Sequence, residues 1–392
     1  LKKRIKILAD SNFKSSMDFF TPFAEIQFVE GRLIDRKHLA GVDALLVRSV
    51  TEINKDLIEG SELKFVGTAT SGVEHVDLEV LADAGIVFSS AKGANANAVC
   101  DYVIAALVAL DSDHEHFADR FLKKTYGIIG AGEVGRRLVT RLLQCGVKSV
   151  LVYDPPLENQ YNPEAKALAF SSLDEVLSCD VISVHVPFER SGNYPTADLL
   201  DARQIDKLRP GATLINASRG GVLDETAMLM RLKSEIDCHR HERLLCVLDV
   251  WEAEPLARKA LVAAVDLATP HIAGYSVQAK HNAMQILHGK LTDVFGIGME
   301  LKTNVASRRF ILSEVLPQSL LNSPASLMAA LYPLIEISEQ MKFEAIHDQG
   351  PRFDEQRSKQ RLRNEFQAYV IDNSVKLNEF NRLFLKGLSF QS

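Results

Sequence analysis

The sequence predicts an α/β protein: two doubly wound parallel-sheet domains followed by a smaller C-terminal module. Three observations predict it. Short apolar runs alternate with helical patterns over the first three quarters of the chain, they fall into two series on either side of a long helical segment, and beyond about residue 300 few strand candidates remain. Near-continuous apolar runs are strands buried on both faces, as a parallel sheet covered by helices requires. At 392 residues the chain is long enough to bury two or three cores.

The first series is IKILAD, ALLVRS, KFVGTA and IVFSS, all before residue 91. A helical pattern runs from Ala98 to Leu110, and the charged stretch DSDHEHFADR after it marks a boundary between residues 92 and 120. The second series is TYGIIG, SVLVYD, VISVHV, TLINAS, LLCVLDV and LATPH, ending near Pro270. SVQAKHNAMQILHGKLTDVFGIG then predicts one helix stopped by glycines, placed to return the chain to the first domain. RRFILSEVL, SLMAALYPLIEISEQMKFEAI and NEFQAYVIDNSVKLNEFNRLFL make up the third module. Its basic run RSKQRLR, residues 357 to 363, predicts a solvated helix face, with contact to an anionic ligand or partner as the alternative.

A formal net charge of −6 argues against non-specific nucleic-acid or membrane-surface binding, both of which need a basic footprint, and directs attention to a small-molecule partner. The five cysteines, Cys100, Cys145, Cys179, Cys238 and Cys246, form no CxxC pair and are odd in number, the pattern of a reducing compartment with no zinc site. The opening LKKRIKILADSN lacks methionine, which reads as a processed terminus, and it holds no apolar run of signal-peptide length. The longest uncharged apolar stretch, VIAALVAL, is too short to span a bilayer. A cytoplasmic protein is expected.

The richest motif is GAGEVG. Gly130, Gly132 and Gly135 match G-x-G-x-x-G, a strand precedes them, a helix follows, and the next strand ends in Asp154, 19 residues beyond Gly135. Gly130 permits the tight turn, Gly132 lets the backbone approach a pyrophosphate, and Gly135 allows close packing of helix on strand. The helix N-terminus offers free N–H groups to the phosphates. Asp154 would accept hydrogen bonds from the adenosine ribose hydroxyls and repel a 2′-phosphate, so NAD is the expected cofactor.

A nicotinamide enzyme oxidising an alcohol needs a base for the hydroxyl proton and a cation for a carboxylate or carbonyl. Ligands of doubly wound sheets bind at the carboxyl ends of strands. Arg219 follows TLINAS, Glu254 lies shortly after LLCVLDV, and His271 follows LATP. Singly, these also read as a cap or surface ion pair, a solvated carboxylate and a satisfied loop histidine. Together, on three strand ends of one NAD domain, they read as a catalytic set.

The motifs GIIGAGEVGRR, VHVP, LRPGATLINASRGGVLDE, LDVWEAEP and TPHIAG, in that order, resemble the D-isomer-specific 2-hydroxyacid dehydrogenases over residues 1 to about 295. The resemblance implies Arg219 as the group binding the substrate carboxylate and 2-oxygen, and His271 as the acid-base. It implies Glu254, directly before Pro255, rather than Glu252, as the carboxylate that orients the imidazole and favours its charged form. Asp154, Asp249, Gly274 and the stretch Ala217, Ser218 and Arg219 fall on NAD-contacting positions, with Val186 as a backbone contact. Ser49, Thr70 and Tyr275 fall on substrate-contacting positions. It further implies a flavodoxin-like substrate-binding domain over 1–95 and 272–297, an NAD-binding Rossmann domain over 96–271, and an α+β dimerisation domain over 298–392 that makes a homodimer.

Within the family, LLVRSVTEIN, KFVGTATSGVEHVD, YDPP, DVWEAEP and PHIAGYS look most like the branch that oxidises 4-phospho-D-erythronate on a route to pyridoxal 5′-phosphate. Two departures stand out: Ala94 in KGANANAV, where that branch carries cysteine, and SEIDCHRHERL, an insertion expected to lengthen a surface loop. The substrate phosphate needs a cationic site that the sequence does not single out; Arg48 is the candidate from the first domain, and Arg352, Arg357, Arg361 and Arg363 are candidates from the third. Two rivals stay open. One is a dehydrogenase of 3-phosphoglycerate, against which the tail lacks a glycine- and valine-rich βαββαβ pattern; the other is an NAD-sensing binding protein on the same fold.

Overall fold

A computed structural model describes residues 4–159, 168–298, 308–347, 353–359 and 363–391. The chain divides into two compact units, Leu1–Asn95 with Ser276–Arg308, and Ala96–Tyr275 with Arg309–Ser392.

The first unit is built on five parallel strands, β1 (Ile5–Asp10), β2 (Ala24–Val29), β3 (Ala44–Val47), β4 (Phe65–Thr68) and β5 (Val87–Ser90), in the order β2-β1-β3-β4-β5. The interior strand β3 is buried along its whole length, which is why its sequence reads as an unbroken apolar run. Strand β2, AEIQFV, was not among the runs read from the sequence. It lies at the sheet edge with Glu25 and Gln27 interrupting its apolar residues. The helix Val277–Phe295 belongs to this unit. Ser276 caps its start by accepting from Ala279 N at 2.8 Å, Gly296 ends it at φ +61°, and Met284, Leu287 and Leu291 face the sheet core.

The second unit carries β6 (Thr125–Ile129), β7 (Ser149–Tyr153), β8 (Val181–Val184), β9 (Thr213–Asn216), β10 (Leu245–Leu248) and β11 (Leu267–Ala268) in the order β11-β10-β9-β8-β6-β7, every pair parallel. A single bridge from Val152 to Phe170 extends the sheet beyond β7. Successive strands step outward from β6 to β7 and then, from β8, in the opposite direction. The reversal lies between β6 and β8, the switch point at which doubly wound sheets open a crevice at their carboxyl ends. The helix Gly135–Cys145 covers this point. Leu138, Val139, Leu142 and Cys145 form its buried stripe, Gly146 at φ +107° ends it, and its Arg141 is 2.5 Å from buried Asp101 on the helix Ala96–Ala109.

The C-terminal residues add the helices Leu312–Val315, Pro324–Leu331, Leu334–Ile346, Phe353–Lys359 and Glu379–Gly387, and a small parallel pair, β12 (Phe310–Ile311) with β13 (Tyr369–Val370). Leu327, Met328, Phe366, Phe384 and Leu385 share one hydrophobic core with Val103, Phe121 and Leu138. The expected long helix at 98–110 is Ala96–Ala109, and the insertion-like stretch is an exposed turn that follows the helix Glu225–Ser234. The basic run differs from the expected solvated face: Arg357 is half-buried and the Arg363 side chain is only 9% exposed, while Arg352 and Arg361 lie outside the described residues. No described helix is long and apolar enough to cross a membrane.

Candidate active site

The glycine-rich turn leaves the end of β6. Gly130 has φ +87°, a left-handed conformation, and a Cβ there would come 2.7 Å from the His185 carbonyl oxygen and 2.8 Å from Val186 Cγ1, so Val186 abuts the turn. A Cβ at Gly135 would meet the Gly130 carbonyl oxygen at 1.9 Å, whereas one at Gly132 would meet nothing within 4 Å. The turn is therefore closed against protein on two sides and bare at Gly132, where a pyrophosphate needs room to meet backbone. Asp154, at the end of β7, accepts from Ala131 N at 2.7 Å through Oδ2 and from Leu157 N at 2.9 Å through Oδ1. Its carboxylate thus ties strand end, glycine turn and the short helix Pro155–Glu158 together, and remains half-exposed. These residues fit a dinucleotide.

The candidate reactive groups stand on the ends of β9, β10 and β11. Buried Asn216 shapes the turn after β9. Its Oδ1 accepts from Ser218 N at 3.1 Å and Ser218 Oγ at 2.8 Å, and its Nδ2 donates to the Arg219 carbonyl at 3.1 Å. Arg219 is half-buried, with Nη1 donating to the Ser218 carbonyl at 2.8 Å. The next residue, Gly220, passes so near Trp251 that a Cβ would lie 1.9 Å from its carbonyl oxygen, which locks the arginine loop to the loop after β10.

On that second loop Glu254 Oε1 accepts from Trp251 N at 3.0 Å, and Oε2 lies 2.8 Å from His271 Nδ1. Burial pushes the Glu254 carboxyl up, but the hydrogen bond and charge of His271, the Trp251 N–H and the charge of Arg357 outweigh it and hold the group below its ordinary value. The imidazole therefore faces an ionised carboxylate. With Nδ1–H donated to Glu254, Nε2 is left without a hydrogen bond among the described residues. Glu252 is exposed, and its backbone N–H donates at 2.7 Å to Glu225 Oε1.

His271 has φ +55°, a conformation that costs a non-glycine residue on the order of 1–3 kcal/mol and persists only where its surroundings over-determine it. Asp249 supplies much of that determination. Its carbonyl accepts from His271 N at 2.8 Å, and its carboxylate accepts from Ile272 N at 2.7 Å, Thr269 Oγ1 at 2.6 Å and Ala273 N at 2.9 Å. Burial raises this carboxyl to about 6, against the pull of the nearby imidazole and the three donors. Tyr102 OH lies 2.7 Å from Thr269 Oγ1, and Trp251 Nε1 donates to the Thr269 carbonyl at 3.1 Å, so the frame extends into the core. Gly274 and Tyr275 follow in the same turn, closed by Tyr275 N donating to the Ile272 carbonyl at 2.8 Å.

Arg219, Glu254 and His271 are thus on neighbouring loops of one sheet. Ser49, Thr70 and Arg48 belong to the other unit, at the ends of adjacent strands β3 and β4. Ser49 is exposed; Thr70 Oγ1 donates to the Gly72 carbonyl at 2.8 Å and lies 2.8 Å from Thr68 Oγ1. Arg48 Nε donates at 2.8 Å to fully buried Asp10. Sequence reading missed Lys280 on the helix Val277–Phe295, whose ammonium is driven down by burial and by the charge of Arg48, with Asp10 opposing. It also missed Asn216 and Trp251, which touch the reactive loops without a motif of their own.

A carboxylate–imidazole pair and an arginine on strand ends of the sheet that carries a dinucleotide turn suit an enzyme that passes a hydride between a hydroxy acid and a nicotinamide. The comparisons with known proteins agree. The family described as D-isomer specific 2-hydroxyacid dehydrogenase, NAD binding domain, matches residues 105–273. The erythronate-4-phosphate dehydrogenase of Marinomonas sp. (strain MWYL1) is 42% identical over 311 residues, 79% of this chain and 77% of the relative. That of Pseudomonas entomophila (strain L48) is 47% identical over 275 residues, 70% and 68% respectively. The fold is shared with the D-lactate dehydrogenase from Aquifex aeolicus complexed with NAD and lactic acid, at 22% identity and a TM-score of 0.59 over 74% of this chain and 96% of that one. It is shared equally with the NAD-bound 3-phosphoglycerate dehydrogenase of Entamoeba histolytica, at 21% identity and 0.59 over 77% and 99%. The chain belongs to the D-isomer-specific 2-hydroxyacid dehydrogenase family and is an NAD-dependent dehydrogenase.

Proposed function

We propose that the protein oxidises 4-phospho-D-erythronate to 2-oxo-3-hydroxy-4-phosphobutanoate, a step on a route to pyridoxal 5′-phosphate. The observation that carries this reading is the 2.8 Å contact of Glu254 with His271 Nδ1, made in a chain 42% identical to an erythronate-4-phosphate dehydrogenase over most of its length.

NAD, when bound, supplies the acceptor for the hydride that leaves carbon 2. Gly130, Gly132 and Gly135 leave room for its pyrophosphate and Asp154 accepts from its ribose hydroxyls; Val186, Ala217, Ser218, Asp249 and Gly274 complete its surroundings. His271 takes the proton of the 2-hydroxyl on Nε2. Glu254 stabilises the imidazolium that forms, and because its own carboxyl is held low it remains charged while it does so. Arg219 holds the substrate carboxylate and 2-oxygen in a planar fork that a lysine cannot reproduce. Ser49, Thr70 and Tyr275 contact the substrate, and Arg48 attracts its anionic groups.

In this reading residues 1–95 and 272–297 bind substrate, 96–271 bind NAD, and 298–392 pair two copies into a homodimer. The thiols, free in the fold, suit the cytoplasm. The test is the initial rate of NADH formation with 4-phospho-D-erythronate, 3-phosphoglycerate and D-lactate. A preference for phosphoerythronate of about 10²-fold or more in kcat/KM is expected. Turnover of phosphoglycerate alone would move the enzyme to that substrate, and NAD binding without turnover of any would make it a binding protein.

A further inference from the structure

The two basic residues of the run at 357 to 363 whose side chains are described have opposite surroundings. Arg363 is anchored on several sides, although its Nε and Nη1, like the Nε of Arg357, are enclosed without a hydrogen-bond partner. Its guanidinium lies 4.1 Å from the Tyr332 ring centroid, Nη1 is 3.5 Å from Asp101 Oδ2, and Nη2 donates to the carbonyls of Ala98 and Ala273. Arg357 has no such anchor. Its Cζ lies 5.0 Å from the Tyr275 ring centroid, its Nε is enclosed without a hydrogen-bond partner, and its guanidinium makes no hydrogen bond or ion pair among the described residues.

Arg357 is nevertheless held in place. Phe353 of the same helix is 6% exposed and packs in the core with Met341 and Leu261, and Gln356 donates to Glu344 on the neighbouring helix. A half-buried guanidinium has lost water without gaining an acceptor, a costly arrangement unless an anion completes it. It sits over Tyr275, four residues beyond His271, and its charge reaches Glu254. A dianion entering beside Glu254 would be repelled by that carboxylate, and a fixed cation there offsets the repulsion. Five donors in a planar fork match a phosphate.

We propose that Arg357 receives the phosphate of the substrate, so that the C-terminal module, besides any part in pairing, supplies the side chain that distinguishes a phosphorylated hydroxy acid from a plain one. The proposal rests on the substrate reading above. The experiment is steady-state kinetics on 4-phospho-D-erythronate for the full-length wild type, Arg357→Gln and Arg357→Lys, with inorganic phosphate as a competing anion and NAD affinity measured alongside.

Arg357→Gln is expected to lose about 10²-fold in kcat/KM, almost all of it in KM, and to weaken inhibition by inorganic phosphate at least about tenfold, with NAD affinity unchanged. Arg357→Lys should recover part of both. A fall in kcat with KM unmoved would mean that Arg357 acts through Glu254 and would overturn the proposal. So would unaltered KM and phosphate inhibition in Arg357→Gln, or parallel loss of NAD affinity in both variants. A wild type inert on phosphoerythronate would instead overturn the substrate reading, and this proposal with it.

Discussion

The strand ends of the two sheets are built to different rules. In the second unit each proposed reactive group is fixed by its neighbours: His271 at φ +55° by Asp249, Glu254 by Trp251 N, and the Arg219 turn by Asn216. In the first unit Ser49 is exposed and the Thr70 hydroxyl turns back on its own loop; among the predicted substrate contacts there, Arg48 is the one tethered to a buried charge, Asp10. Proton and hydride transfer need atoms held to fractions of an ångström. Recognition of a polyhydroxylated acid tolerates short side chains that adjust.

The sharpest way to break this comparison is His271→Ala, expected to lower kcat by about 10³-fold while leaving NAD affinity unchanged, because the proton loses its acceptor. A drop below about tenfold would show that another group is the base. Arg219→Lys comes next. It keeps the charge but loses the planar fork, and should cost roughly 10²- to 10³-fold in kcat/KM, mostly in kcat; unchanged turnover would remove Arg219 from the site.

Glu254→Gln should cost about 10- to 100-fold in kcat/KM, the worth of a charge-assisted hydrogen bond. The same variant tests stability. The Glu254 carboxyl is lower in the folded chain than its ordinary 4.5, so its ionised form supports the fold above that pH and the support fades as pH falls. Urea midpoints measured from pH 7 to 3 should therefore decline less steeply in Glu254→Gln than in the wild type. The smallest effect is expected in the first unit, where Thr70→Val should raise KM about 5- to 10-fold with kcat nearly unchanged, the loss of one neutral hydrogen bond. A kcat defect as large as that of Glu254→Gln would erase the distinction between the two sets of strand ends.

The same contrast explains what the sequence could disclose. Interior strands buried along their length, such as β3, β4, β8 and β9, announce themselves as apolar runs; edge strands are legible only where their apolar residues stay together, as Ile86, Val87 and Phe88 do at β5, and not at β2, where exposed Glu25 and Gln27 interrupt them. Gly130 and Gly135 were legible because only glycine fits where a Cβ would strike backbone. The frames around Arg219 and His271 were not, since Asn216, Trp251 and Thr269 are ordinary residues whose meaning lies in what they touch. Arg363 was misread as solvated for the same reason. Charge in a run looks like surface until its partner is known, and Asp101 sits in a distant helix of the chain. Lys280 hid in a helical pattern that gave no hint of its approach to Arg48.

The most direct test of the central claim, that His271 and Glu254 serve hydride removal from carbon 2 of a phosphorylated hydroxy acid, is the fate of the hydrogen at that carbon. With 4-phospho-D-erythronate deuterated at carbon 2, the account predicts that the deuterium appears in the reduced nicotinamide and that a primary isotope effect on single-turnover oxidation accompanies it. Deuterium released to water, or retained in the product, would contradict it.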